Sequence, residues 1–334
     1  MAIVTFTGFE PYGDATGLQQ AGYIVSGSVS IATADSRTFL LLGAGASIRR
    51  IFSSTYPTLI MGADFYFPSA PSSEGIIMAF QDGSTNQVDV RLTPQLALRV
   101  TRNGTTLGTT SDGIVPTGTY IFIGMRATIH DTLGSVRLMV GVTDVLTLSN
   151  VDTQETANPY ANAIEIRGAV ASQRVDNLYI FDATGSENND LAGPIRVGPI
   201  VVVGPGTYTQ WTPNGASANY DCVDDVPHDG DATFVSATDP NRIDSYAVSV
   251  PAGMAAVRGI KLMVAARKDD AAPRAITPGV VIGSAFYAAT STPVALPDNY
   301  AWIESVLERN PATGSPWTLS DLMGIQLAIR SDNV

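Results

Sequence analysis

The sequence predicts an all-β protein folded as two tandem β-sandwiches. Three observations carry this. Hydrophobic residues make up 45% of the 334 residues and charged ones only 15%, while Gly (31) and Pro (20) punctuate the chain, the balance of many short strands joined by turns. Apolar residues alternate with polar ones at period two, as half-buried antiparallel strands require. No long stretch carries the 3.6-residue period of a helix in the first half.

The strands follow in order. Thr38–Leu42, Leu59–Phe67 and Gly75–Phe80 open the series. In Gln87–Leu92, Val88, Val90 and Leu92 fall on one face while Gln87, Asp89 and Arg91 fall on the other. Pro94 turns the chain into Leu96, Leu98 and Val100, and Asn103-Gly104 supplies a two-residue hairpin turn of the primed type, so that Thr105–Leu107 pairs back. A three-stranded meander results. Tyr120–Ile129, Val136–Val140, Val145–Leu148, Ala163–Arg167 and Val175–Phe181 complete the first sandwich, residues 1–184. The polar stretch 185–194, GSENNDLAGP, reads as a connector.

Residues 195–334 read as a second, jelly-roll-like sandwich. Its expected strands are Ile195–Val203, Thr207–Trp211, Ala232–Ser236, Ser245–Val250, Val257–Ala266, Gly279–Tyr287, Ala301–Leu307 and Ile325–Arg330. One helical turn is expected in WTLSDLMG, Trp317–Gly324, with Thr318 or Ser320 as the cap and Gly324 at the end.

Several strings look like signatures. They are VDNLYIFDATGSENNDLAGPIRV (Val175–Val197), TQWTPNG (Thr209–Gly215), FTGFEPYGDATGL (Phe6–Leu18), SEGIIMAFQDGSTNQVDVRL (Ser73–Leu92) and GSVRLMVGVTDVLTLSNVDTQETANPYANAIEI (Gly134–Ile166). Their order resembles bacteriophage virion proteins that carry a laminin-G or concanavalin-A-like sandwich followed by a second β-module. The resemblance implies a multicopy, non-enzymatic structural component of the tail, fibre or capsid surface. It implies partners among other virion proteins and copies of itself, with a trimer favoured. The alternative it leaves open is a lectin-like adhesin that recognises host surface glycans.

Charge and cysteine content narrow the function classes. A net charge of -12 and only two lysines, Lys261 and Lys268, argue against a nucleic-acid surface. Arg49 and Arg50 read as a solvated strand end. Cys222 is the only cysteine, so no intrachain disulfide exists, and its neighbours Asp221, Asp224 and Asp225 oppose a thiolate; a packed, inert Cys is expected. No signal peptide or apolar run of about 20 residues is found, which fits synthesis in a host cytoplasm and residence in a virion without membrane insertion.

Catalytic patterns are absent. His130 and His228 belong to no compact metal motif and read as surface residues, and no GxSxG elbow occurs. Leu40–Ile48, LLLGAGASI, lacks the context of a dinucleotide loop. A polysaccharide depolymerase needs two closely held carboxylates, whereas Glu165 and Asp176 look like isolated, outward-facing acids on separate strands. No enzyme and no cofactor are therefore expected, apart from structural Ca²⁺. The candidate ligands for that ion are Asp224, Asp225, Asp229 and Asp231 in DCVDDVPHDGD. Trp211, Trp302 and Trp317 are glycan candidates by residue type alone, Trp211 and Trp317 reading rather as plugs at the ends of a core.

Overall fold

The computed structural model describes residues 2–333. It divides into two compact units, 1–197 and 198–334.

In chain order the first unit contains β1 (Ile3–Thr7), α1 (Ala15–Gln20), β2 (Tyr23–Ser26), β3 (Val29–Ala34), β4 (Arg37–Leu42), β5 (Ser47–Tyr56), β6 (Thr58–Tyr66), β7 (Gly75–Asp82), β8 (Thr85–Leu92), β9 (Leu98–Arg102), β10 (Thr105–Thr109), β11 (Tyr120–Thr128), β12 (Gly134–Val140), β13 (Thr143–Val151), β14 (Ala161–Arg167) and β15 (Gln173–Asp182). Eight of the strands form one sheet, ordered β13-β12-β11-β6-β15-β4-β3 with β1 pairing β15. Seven form the other, ordered β10-β9-β8-β7-β14-β5-β2. The expected meander is β8-β9-β10, and Asn103 and Gly104 both have positive φ, as a primed turn demands.

Cross-strand register decides which side chains share a face, since residues directly opposite in antiparallel strands point the same way. Ile166 lies opposite Met78, Met78 opposite Val90 and Val90 opposite Val100; all four are fully buried and face the core. The next row, Glu165-Ala79-Asp89-Thr101, must therefore face outward. Met61, Ala63, Phe65 and Phe67 supply the other sheet's share of buried apolar surface.

Two features of this unit depart from the sequence reading. Asp14 caps α1 by accepting a hydrogen bond from the Gly17 amide, a helix that the strand pattern concealed. Arg49 and Arg50 sit within β5 rather than at a solvated strand end, with the Arg50 guanidinium over the Tyr23 ring. The stretch expected as a connector packs on this unit. Leu191 is buried against the position of Gly124, Asp190 pairs with Arg137, and the Val197 amide donates to Asn177 Oδ1.

The second unit contains β16 (Val201–Thr209), β17 (Thr212–Asn214), β18 (Phe234–Ser236), β19 (Ile243–Ser249), β20 (Ile260–Ala266), β21 (Ala275–Ile282), β22 (Ala285–Ala288), β23 (Val294–Ala295), β24 (Ala301–Leu307), α2 (Leu319–Leu322) and β25 (Ile325–Asp332). Its main sheet runs β16-β19-β25-β21-β22 with β23 on β21, beside the pairs β17-β18 and β20-β24. The span expected as one strand, Gly279–Tyr287, is a hairpin that turns at Gly283, whose φ is 64°. Ile260, Leu262, Val280, Leu307 and Trp317 form its core. Thr318 caps α2 in a reciprocal capping box with Asp321. No helix among the described residues is long and apolar enough to cross a membrane.

Candidate functional site

The outer face of the seven-stranded sheet carries an extended polar array. Asp89 on β8 and Glu165 on β14 both lie opposite Ala79 on β7, so two strand spacings of about 4.8 Å separate their backbones. The methyl group of Ala79 leaves the space between them to longer neighbours. Asp89 is 0% exposed, and its Oδ1 accepts from Arg91 Nε (2.6 Å) and Thr101 Oγ1 (2.7 Å) while Oδ2 accepts from Asn86 Nδ2 (3.2 Å). Glu165 is 4% exposed, and its Oε1 accepts from Arg167 Nη2 at 2.8 Å.

A single amide joins the two acids. Gln81 Nε2 donates to Glu165 Oε2 at 3.3 Å and to Asn86 Oδ1 at 2.8 Å, and Asn86 in turn donates to Asp89. Toward the other end of the strands Glu74 lies between Arg99 (2.7 Å) and Arg91 (3.6 Å). The crossover 152–160 runs along the end where Gln87 is found, and the Gln87 side chain holds it through the Glu155 and Thr156 amides and the Asn158 and Tyr160 carbonyls. Arg102 adds ion pairs to Asp152 and Glu155.

Not every polar atom of this face is satisfied. Gln81 Oε1, Arg99 Nε and Arg167 Nε are buried without a hydrogen-bond partner among the described residues. Such atoms are uncommon in native proteins and need a reason. Arginine side chains contribute to the accessible surface here, those of Arg99 and Arg167 being each 38% exposed and that of Arg91 24%.

These findings correct the reading of Glu165 and Asp176. Neither is a solvated, isolated acid, since they are 4% and 5% exposed and each is held by an arginine. Glu165 belongs to the array just described. Asp176 belongs to a knot on the other sheet, where Arg37 bridges Asp176 (2.7 Å) and Asp64 (2.8 Å) under the Tyr120 ring and Asn177 donates to Asp64. Burial pushes the Asp176 carboxyl above the usual carboxylate range, and Arg37 opposes that shift.

The four aspartates proposed for Ca²⁺ are not gathered into a coordination shell. Asp231 pairs with Arg267 at 3.0 Å and lies 2.9 Å from Tyr300 Oη; Asp229 and, more distantly, Asp225 accept from Thr233. Asp224 is exposed. No group of three or more His, Cys, Asp and Glu side chains among the described residues is placed to hold a metal ion. Aromatic packing adds to these bonds in the loop. His228 lies against the Tyr300 and Trp302 rings, half-buried rather than on the surface, and burial lowers its pKa. His130 does occupy an exposed turn, its Nδ1 accepting from the Thr132 and Leu133 amides. Cys222 is buried, with Sγ 3.4 Å from the Asn214 carbonyl. Trp317 is a core plug whose indole donates to the Leu307 carbonyl, and Trp211 donates to that of Arg242.

No family model matches the chain, and no curated protein matches it. Solved structures do, at low identity. An alginate lyase, Aly36B, is 12% identical over 53% of this chain and 92% of that one, with a TM-score of 0.37. A conserved carbohydrate esterase of the Shiga toxin-encoding bacteriophage phi24B is 12% identical over 53% and 99%, with a TM-score of 0.36. A protein of unknown function with a galectin-like fold from Bacillus subtilis is 12% identical over 55% and 96%, with a TM-score of 0.39. The expectation of a non-enzymatic protein is overturned: structures matched by this chain are mostly enzymes, and the acid that had looked isolated, Glu165, shares a buried network with Asp89.

Proposed function

We propose that the outer face of the seven-stranded sheet binds a glycan. The observation that carries this is the arrangement of Gln81, Arg99 and Arg167, whose buried unpartnered atoms lie on a face floored by fixed carboxylates. A sugar offers hydroxyls that both donate and accept, so it can complete acceptor and donor atoms side by side, which an apolar ligand cannot. Asp89 and Thr101 are too enclosed to touch the ligand; they set the Arg91 guanidinium in place. Glu165, slightly less enclosed than Asp89, is the carboxylate bonded to Gln81 and Arg167, two of the side chains that carry unpartnered atoms.

In the setting that the sequence resemblance implies, a bacteriophage particle, such a face serves attachment to the host envelope. Mass spectrometry of purified particles tests that setting, and absence of the chain from them removes it. The binding itself is tested on a glycan array, with Glu165→Gln as a companion variant and chromatography of the bound glycan for cleavage products. Selective binding that falls by roughly tenfold in the variant supports the site, since one charge-assisted hydrogen bond is worth about 1.5 to 3 kcal/mol. An array with no glycan above background overturns it.

A further inference from the structure

We infer that the ligand of this face is an acidic sugar, one bearing carboxylates such as a uronic or nonulosonic acid, and that Arg49, Arg99 and Arg167 read its charge. The inference rests on the glycan reading above. Its starting point is a local inversion of charge. The chain carries a formal -12, yet on this face four guanidinium groups, of Arg49, Arg91, Arg99 and Arg167, stand against the carboxylates of Asp89 and Glu165 on its strands and of Glu74 just before β7. Four against three leaves one positive charge.

The pairing concentrates that surplus at one position. Arg91 is committed to Asp89, Arg99 to Glu74 and Arg167 to Glu165, each through a short contact. Arg49 lies directly opposite Glu165 across the β5-β14 ladder, and the described residues give it no ion pair. Glu165 thus has Arg49 as its cross-strand neighbour and Arg167 two residues along its own strand, with one carboxylate for two guanidinium groups.

The chemistry of the unmet atoms selects carboxylate over a neutral hydroxyl. Arg167 spends Nη2 on Glu165 and Arg99 spends Nη1 on Glu74, and in both the Nε–H is buried and unpaired. An arginine presents its donors in a planar fork that fits the two oxygens of a carboxylate. A neutral sugar would leave the excess charge of Arg49 without compensation in a partly desolvated place, which costs free energy. Apolar flanks suit a sugar ring as well, for Ile24 and Ile51 are 44% and 49% exposed on the same face, one opposite Arg49 and the other two residues beyond it.

The test uses the full chain on an array that carries neutral, carboxylated and sulfated glycans, followed by titration of the best ligand and of its carboxyl methyl ester. Expected is selective binding of carboxylated glycans, at least tenfold weaker binding of the ester, and a further roughly tenfold loss in Arg49→Gln and in Arg167→Gln. Thermal melts accompany each variant, and Arg258→Gln, outside this unit, serves as a control that leaves affinity unchanged. Binding of neutral or of sulfated glycans alone overturns the acidic-sugar inference while the glycan reading stands. Failure to bind any class overturns both. Equal affinity for acid and ester, or variants that melt normally and bind normally, likewise overturns the inference.

Discussion

Asp89 is a carboxylate with no exposed surface on a face that the strand pattern alone marks as polar and outward. Its position is tolerable because Arg91, Thr101 and Asn86 each donate a hydrogen bond to it, in a geometry fixed by the β8-β9 register. Replacing Asp89 by Ala strands the Arg91 charge and the Thr101 hydroxyl, so urea melts should show a loss of about 3 kcal/mol, the cost of breaking a buried pair from one side; an unchanged midpoint would contradict the network. Glu10 behaves in the opposite sense. Burial, opposed by its own backbone amide, raises its pKa above the ordinary 4.5. A carboxyl whose folded pKa is raised contributes stability that is complete below the unfolded pKa and lost as pH rises through the folded one. Glu10→Gln should therefore raise the melting temperature at pH 7 and lose that advantage as pH falls to about 4, the unfolded range; a gain that persists at low pH would refute the assignment. Residue identities of this kind were only half legible in the sequence. The Asp-x-Arg at 89–91 and Glu-x-Arg at 165–167 place acid and base on one strand face by simple alternation, yet nothing local says that either face is covered.

Strands were easier to read than their partners. The meander of β8, β9 and β10 follows from alternation and from Asn103-Gly104, because its contacts are between sequence neighbours. The insertion of β14 between β7 and β5 joins segments more than eighty residues apart, and this is the pairing that brings Glu165 beside Ala79 and toward Asp89. Period-two patterns do not encode such an order, so Glu165 looked isolated. The short helices were hidden for a different reason: α1 has six residues and α2 four, too few to show a period, and only the Thr318 capping chemistry gave α2 away. On β6, Gly62 allows a close approach by a side chain of β15. A Cβ there would meet the Tyr179 ring at 2.5 Å, while that ring stacks on Phe122 and Phe181. Gly62→Ala must displace the stack, and a loss of about 1 to 3 kcal/mol in thermal melts is expected. A variant as stable as the parent would mean that Tyr179 is free to move.

At the scale of the whole molecule, the all-β class and the two-unit organisation stand on the sheets and on the division at 197/198, whereas function stands on one face of one sheet. Composition could report the net acidity but not its uneven distribution, and it is the distribution that turns an acidic chain toward an acidic sugar. The resemblance to phage proteins proposes where such a surface works; the side chains propose what it holds. The most direct measurement is a crystal structure of the full chain soaked with the best ligand from the array. The account predicts the sugar on the outer face of the seven-stranded sheet, with Arg99 and Arg167 within hydrogen-bond distance and Gln81 Oε1 newly partnered. A sugar bound on any other surface, with that face unchanged, would contradict it.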